Sequence, residues 1–294
     1  MSIVERALAK AAGIGRSKAA ELPAVSPRPV AEPALPASSD PFWSDNSTVV
    51  DIHPEILRKA GLGLAPDMER LIAEELRVIK RPILLNAERD DQSLPNRNLV
   101  MIGSALPGAG KTFLSFNTAL SMATELDWTV LLVDADVSRP TLTRGFGLGD
   151  ARGLVDMLES ESDSLSQCVV RTTHPKLFFL PAGVPRTQAK ELLGSQRMRA
   201  LTADLSARGQ RSIVVFDSPP LLRTSEARVL ASYVGQIMLV VEAGVTPRQS
   251  LLEAIELLDP QKAVTLVLNK NRQVFGSGDY HYAGYETYGS DANS

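Results

Sequence analysis

The sequence predicts an α/β fold, a mostly parallel sheet with helices on both faces, flanked by two appendages. Three observations carry this. From about residue 97, short apolar runs (NLVMIGS, TVLLVDAD, KLFFLPAG, SIVVFDSP, QIMLVVEAG and AVTLVLNK) alternate with stretches of helical periodicity. The runs are apolar at every position rather than every second one, as in strands covered on both faces. Glycine- and aspartate-bearing segments follow several runs directly, at the strand ends where such sheets place ligands.

The elements follow in order. Residues 1–18 hold a short amphipathic helix with Ile3, Val4, Ala7 and Leu8 on one side. Residues 19–50 form a Pro/Ala-rich linker that lacks the apolar content for a core. Residues 51–96 are a helical approach to the main domain. There DMERLIAEELRVIK predicts a helix over 67–80, with Leu71, Ile72, Leu76 and Ile79 inward and Pro82 ending it. Residues 97–271 form the core, with helices at 113–124, 198–207, 226–232 and 248–258. Residues 272–294, rich in Gly, Ser, Asp and Tyr, are expected to be a disordered tail.

Bulk properties narrow the function. A net charge of −3 over 294 residues gives no electrostatic reason to bind nucleic acid. Cys168 is the single cysteine and reads as a small apolar filler in a reducing compartment. No run approaches the ~20 apolar residues that span a bilayer, so a cytoplasmic protein is expected, brought to a membrane by a partner. His53, His174 and His281 show no metal-ligand spacing.

The first chemical motif is Ser104-Ala-Leu-Pro-Gly-Ala-Gly-Lys111-Thr112, set between a strand and an apolar helix. This context makes a phosphate-binding P-loop. Gly108 and Gly110 let backbone N–H groups face a phosphate, and the helix adds its positive end. Pro107, Gly108, Ala109, Gly110, Lys111, Thr112 and Phe113 are therefore assigned to ATP. Lys111 supplies charge for the β- and γ-phosphates, and Thr112 a hydroxyl for Mg²⁺. Ala105 replaces the usual first glycine.

The second is a set of carboxylates. Asp134 and Asp136 follow one buried run, and Asp217 follows another. Carboxylates there are costly to desolvate unless a cation or N-capping role compensates. Beside a P-loop, nucleotide-bound Mg²⁺ is the natural cation. Three exceed what the metal needs, which assigns one, Asp134, to the attacking hydroxyl. The third motif is the tail itself. Four of five tyrosines, Tyr280, Tyr282, Tyr285 and Tyr288, fall within nine residues and lack core-forming neighbours. They read as phosphoacceptors, or alternatively as a partner-binding aromatic segment. Tyr233 reads as structural.

Together these motifs resemble the bacterial tyrosine autokinases of polysaccharide export, the BY-kinases. These are P-loop NTPases related to ParA and MinD. The resemblance covers roughly residues 67–290: SALPGAGKT, LLVDADVSRP, GLVDML, LPAGVPRTQAKELLGSQRM, VVFDSPPLL and the tyrosine tail occur in family order. It is nearest to the stand-alone kinases of exosortase (PEP-CTERM) loci. The resemblance implies that Lys111 and Thr112 bind phosphate and Mg²⁺, that Asp136 and Asp217 hold the Mg²⁺ shell, and that Asp134 activates tyrosine. It also implies that Asn269 sits near adenine, and that Glu74, Arg77 and Lys80 are an oligomerisation motif. Expected partners are a membrane chain-length determinant acting as activator, other copies of the chain for autophosphorylation in trans, and a cognate phosphotyrosine phosphatase. Three positions depart from the pattern: Ser138, followed by Arg139, where arginine is usual; Lys80 for arginine; and Ala189 for proline.

Two other functions stay open. A MinD- or ParA-like switching ATPase would carry a lysine early in the P-loop, where this chain has Leu106. A non-catalytic nucleotide-binding regulator would not need Lys111 and all three aspartates.

Overall fold

The computed structural model describes residues 49–52, 54–64, 68–89, 94–160, 163–208 and 211–271. The N-terminal helix, nearly all of the linker, His53, Asp67, His281 and the tyrosine tail lie outside the described residues.

The core is an eight-stranded sheet ordered β1-β4-β5-β3-β6-β2-β7-β8. In chain order the strands are β1 (Val49–Val50), β2 (Leu99–Ser104), β3 (Thr129–Asp134), β4 (Val170–Thr172), β5 (Leu177–Leu180), β6 (Ser212–Asp217), β7 (Gln236–Glu242) and β8 (Ala263–Asn269). Each of the six apolar runs is a strand, and neighbours among these six are parallel. The exception lies at one edge, where β4 runs antiparallel to β5 and β1 runs parallel to β4. The sheet thus starts at Val49, inside the segment expected to be linker.

Strand alternation sends successive side chains to opposite faces. Met101, Leu131, Val133, Val214 and Phe216 enter one core cluster. Val100, Ile102, Val130, Leu132, Ile213 and Val215 enter the other. The second face is covered by α2 (Glu69–Glu88), which follows the short α1 (Pro54–Lys59), by α3 (Lys111–Ala123) and by the short α4 (Thr141–Gly145). The first face is covered by α5 (Leu154–Glu159), α6 (Leu165–Cys168), α7 (Ala189–Leu193), α8 (Gln196–Ala207), α9 (Ser225–Tyr233) and α10 (Arg248–Glu256). Tyr233 is part of this core. Cys168 is also buried there, and burial pushes its thiol up to about 11, which leaves it unreactive.

α2 corrects one expectation. It runs through Pro82 to Glu88. Pro82 is exposed, while Ile83 and Leu84 continue the buried stripe begun by Leu76. Burial of that stripe outweighs the backbone bond that proline forgoes. Among the described residues, no helix is long and apolar enough to cross a membrane.

Candidate functional site

The site forms where β2, β3 and β6 end against α3 and α4. β2 leads into the glycine loop, where Gly108 and Gly110 adopt left-handed backbone with φ of 88° and 97°. A side chain at Gly110 would be strained, and its Cβ would collide with Asn269 Nδ2. Lys111 opens α3 and is buried, within the electrostatic influence of Asp217 and Asp136. Burial pushes its pKa down, and the two carboxylates oppose that shift. Thr112 and Phe113 are half-buried, and Phe113 packs on the core. Pro107 and Gly108 are exposed at the loop crest, whereas Ala109 is buried.

Asp134 and Asp217 are register partners on adjacent parallel strands, so their side chains share a face. Even-numbered residues of β3 and odd-numbered residues of β6 line the core under α3 and α4, and the two aspartates end those rows. Both are fully buried. Asp217 Oδ1 accepts from Ser115 Oγ at 2.9 Å, and the nearby Thr112 hydroxyl also works to lower the pKa of this carboxyl. Asp134 Oδ2 accepts from Thr143 N at 2.9 Å and from Thr143 Oγ1 at 2.8 Å. The remaining oxygens, Asp134 Oδ1 and Asp217 Oδ2, have no partner. Burial first, then mutual repulsion, pushes Asp134 up to about 8. Burial likewise pushes Asp217 up, against its hydroxyl bonds and Lys111.

Asp136 lies just beyond β3, half-buried. Its Oδ1 accepts from Arg139 N at 3.1 Å, and burial raises its pKa. Ser138 and Arg139 are exposed. Asn269, at the end of β8, donates from Nδ2 to Ala109 O at 2.8 Å. Lys270 Nζ donates to Gly108 O at 2.6 Å and pairs with Glu242 at 3.1 Å. The sheet edge thus braces the back of the glycine loop. The structure therefore brings Lys111, Thr112, Asp134, Asp136, Asp217 and Asn269 together.

The bare, buried Asp217 Oδ2 beside a glycine loop fits a cation that arrives with a nucleotide. Among the described residues, no three His, Cys, Asp or Glu side chains converge to hold a metal unaided. Phosphate oxygens would have to complete its shell.

The proposed oligomerisation residues divide. Glu74 and Arg77 are exposed on α2. Lys80 is buried, with Nζ 2.6 Å from Ser121 O and 2.8 Å from Glu125 Oε1. It caps the C-terminus of α3, so its ammonium is engaged within the subunit. Arg81 is exposed one residue on, and with Arg77 lines a cavity of about 290 Å³ over Trp128.

Sequence reasoning missed Ser115, Thr143 and Lys270. Ser115 had a usable signal, one helical turn past Lys111. The other two meet the site through long-range contacts with no motif.

A strand, glycine loop, helix and strand-end carboxylates in this order define a nucleotide-binding P-loop protein of the phosphoryl-transfer class. No family model matches the chain. It is 32% identical over 186 residues to tyrosine-protein kinase YwqD of Bacillus subtilis (strain 168), covering 63% of this chain and 77% of that one. It is 34% identical over 177 residues to succinoglycan biosynthesis transport protein ExoP of Rhizobium meliloti (strain 1021), covering 58% of this chain but 22% of that one. The crystal structure of the VpsO kinase domain superposes with a TM-score of 0.58 at 32% identity, over 70% of this chain and all of that domain. The chain belongs to the bacterial tyrosine-protein kinases.

Proposed function

We propose that the chain transfers the γ-phosphate of ATP to tyrosines of its own C-terminal segment, Tyr280, Tyr282, Tyr285 and Tyr288, and thereby regulates exopolysaccharide synthesis or export. One observation carries the chemistry: two register-paired, buried carboxylates each keep a bare oxygen beside Lys111 and Thr112. A structural pair would have both oxygens satisfied.

Residues 107–113 hold the triphosphate by backbone N–H groups, with Lys111 as point charge. Thr112, Asp136 and Asp217 would hold Mg²⁺, which supplies charge neutralisation at the transferring phosphate. Asp134 orients the acceptor tyrosine and takes its proton. Its raised pKa suits that role, because a base works best near the operating pH. Asn269 holds the loop and faces the adenine side.

The polysaccharide role rests on the likeness to ExoP, whose name states one. We assign activation to a membrane chain-length protein, phosphorylation in trans to contact between copies, and reversal to a phosphotyrosine phosphatase. Contact between copies uses the exposed ridge of Glu74, Arg77 and Arg81, with Lys80 excluded by its internal partners. The site of action is the inner face of the membrane.

The test is incubation with Mg-ATP and mapping of phosphate by mass spectrometry, beside Lys111→Ala. Phosphate on Tyr280–Tyr288 in the wild type alone supports the reading. Inorganic phosphate release with an unmodified tail replaces it with a switching ATPase.

A further inference from the structure

We propose that Thr143 is the positioning residue of the phosphoryl transfer: it fixes the Asp134 carboxylate so that Oδ1, and not Oδ2, receives the tyrosine proton. This rests on the reading of Asp134 as the base.

The hydrogen-bond direction is fixed by elimination. Thr143 Oγ1 lies 2.8 Å from Asp134 Oδ2 and 2.9 Å from Ala182 N. A backbone N–H can only donate, so the hydroxyl accepts from Ala182 and points its single proton at Asp134. The Thr143 backbone N–H adds a second donor to the same oxygen at 2.9 Å. Oδ2 is thus saturated, while Oδ1 is buried and bare. A proton arriving at this carboxyl goes to the oxygen not already facing two donors.

The support behind Thr143 is rigid on two sides. Ala182 sits in the loop after β5, which Asp156 clamps by accepting from Gly153 N at 2.9 Å and Val184 N at 3.0 Å. The same loop accepts backbone bonds from Leu154 and Val155 at Pro181 O and Ala182 O. At the other end of α4, Phe146 meets Phe116 and Phe179 edge-on, with centroids 5.7 and 4.9 Å apart. α4 has five residues and no intrinsic stability. Its place is set by these contacts, and they carry Thr143 to a spot nine residues beyond Asp134 in sequence.

The step balances within the site. The tyrosine O–H proton moves to Asp134 Oδ1 as the tyrosine oxygen bonds the γ-phosphorus. The bond from that phosphorus to the β,γ-bridging oxygen breaks, and ADP leaves with the electron pair. Without the Thr143 hydroxyl, the carboxylate can rotate about its Cβ–Cγ bond, and a misaimed base slows the step without weakening nucleotide binding.

The test compares Thr143→Val, Thr143→Ser, Asp134→Asn and the Val/Asn double variant. It measures tail phosphorylation for kcat and KM, and binding of a fluorescent ATP analogue. Thr143→Val should lower kcat by about 10- to 100-fold, as for groups that orient a functional ligand. Its KM and nucleotide affinity should stay within about twofold. Thr143→Ser, which keeps both hydrogen bonds, should stay within about threefold of wild type. Adding Thr143→Val to Asp134→Asn should cost nothing more. If the Val variant fails to bind nucleotide, Thr143→Cys, with a weaker donor of similar volume, should give an intermediate kcat. Wild-type kcat in Thr143→Val beside an inactive Asp134→Asn would overturn the positioning role alone. Full activity of Asp134→Asn would remove the base assignment and this role with it.

Discussion

Charge is handled in opposite ways at the ends of β3 and β6 and along the outer face of α2. At the strand ends Asp134 and Asp217 are sealed from solvent, and each leaves one oxygen without a partner. On α2, Glu74, Arg77 and Arg81 stand in solvent, and the ion pair of Arg70 with Glu74 at 3.7 Å is long and exposed. An exposed pair of that kind contributes only about 0–1 kcal/mol. A bare buried acceptor costs about 1–3 kcal/mol, more when charged. A protein retains the costly arrangement where a ligand offsets it, so on the proposed reading the buried pair serves transfer and the ridge serves contact. Lys80 stands between the two cases: buried like the aspartates, but with its charge partnered by Ser121 O and Glu125.

The largest effect that can break this contrast is at Lys111. Replacing it with alanine removes the cation facing both Asp217 and Asp136. Phosphate transfer to the tail should fall by at least about 10²–10³-fold, the cost of losing one preorganised charge at a reacting group. Radiolabelled ATP incorporation measures it. Activity within tenfold of wild type would mean that the carboxylates serve structure rather than transfer.

The second effect is on stability. Lys80 Nζ reaches Ser121 O, a last-turn carbonyl of α3 that also accepts from Thr124 Oγ1 at 2.7 Å, and pairs with Glu125. Lys80→Met keeps the apolar stem and removes the cap. It should destabilise the protein by about 1–3 kcal/mol in urea denaturation, with unchanged dependence on denaturant. A shift below ~0.5 kcal/mol would return Lys80 to the exposed ridge.

Much of this contrast was legible beforehand, and the reasons differ by element. The six parallel strands carry unbroken apolar runs because both faces are covered, and that pattern survives in a single sequence. The gathering of Lys111, Asp134, Asp136 and Asp217 at one end of the sheet was legible because each follows an apolar strand run or opens the helix after one. β1 and β4, with two and three residues, are too short to carry a period. The antiparallel edge follows from pairing that no local pattern encodes. Pro82 misled because the rule against proline in helices concerns local backbone energy, whereas Ile83 and Leu84 are held by tertiary burial. Thr143 was invisible for the same reason: its partners Asp134 and Ala182 are nine and 39 residues away.

A third test uses pH. In the ligand-free protein Asp134 and Asp217 are pushed up to about 8 and about 6, from 3.8 in an unfolded chain. Between those limits the folded state holds more protons than the unfolded one, so stability falls as pH rises through the folded values. Thermal midpoints should drop between about pH 6 and pH 8, and Asp134→Asn should flatten that slope. Saturating Mg-ATP should flatten it too, because a cation held at Asp217 beside Asp134 favours both carboxylates ionised. An equal slope in Asp134→Asn and wild type would mean that the buried pair carries no strained charge.

The smallest expected effect sharpens the contrast from its cheap side. Arg77 is exposed, lines the cavity over Trp128, and has no hydrogen bond or ion pair within the described residues. Arg77→Ala should therefore change folding stability by less than about 0.5 kcal/mol, the usual range for a surface position. If the ridge is a contact between copies, the same substitution should lower phosphorylation in trans, measured by mixing it with a Lys111→Ala acceptor. A structural role predicts the reverse: lost stability with an unaltered rate at fixed folded protein. The physical distinction is that an exposed arginine gains its energy only when a second surface removes its water, so its effect belongs to assembly and not to the fold.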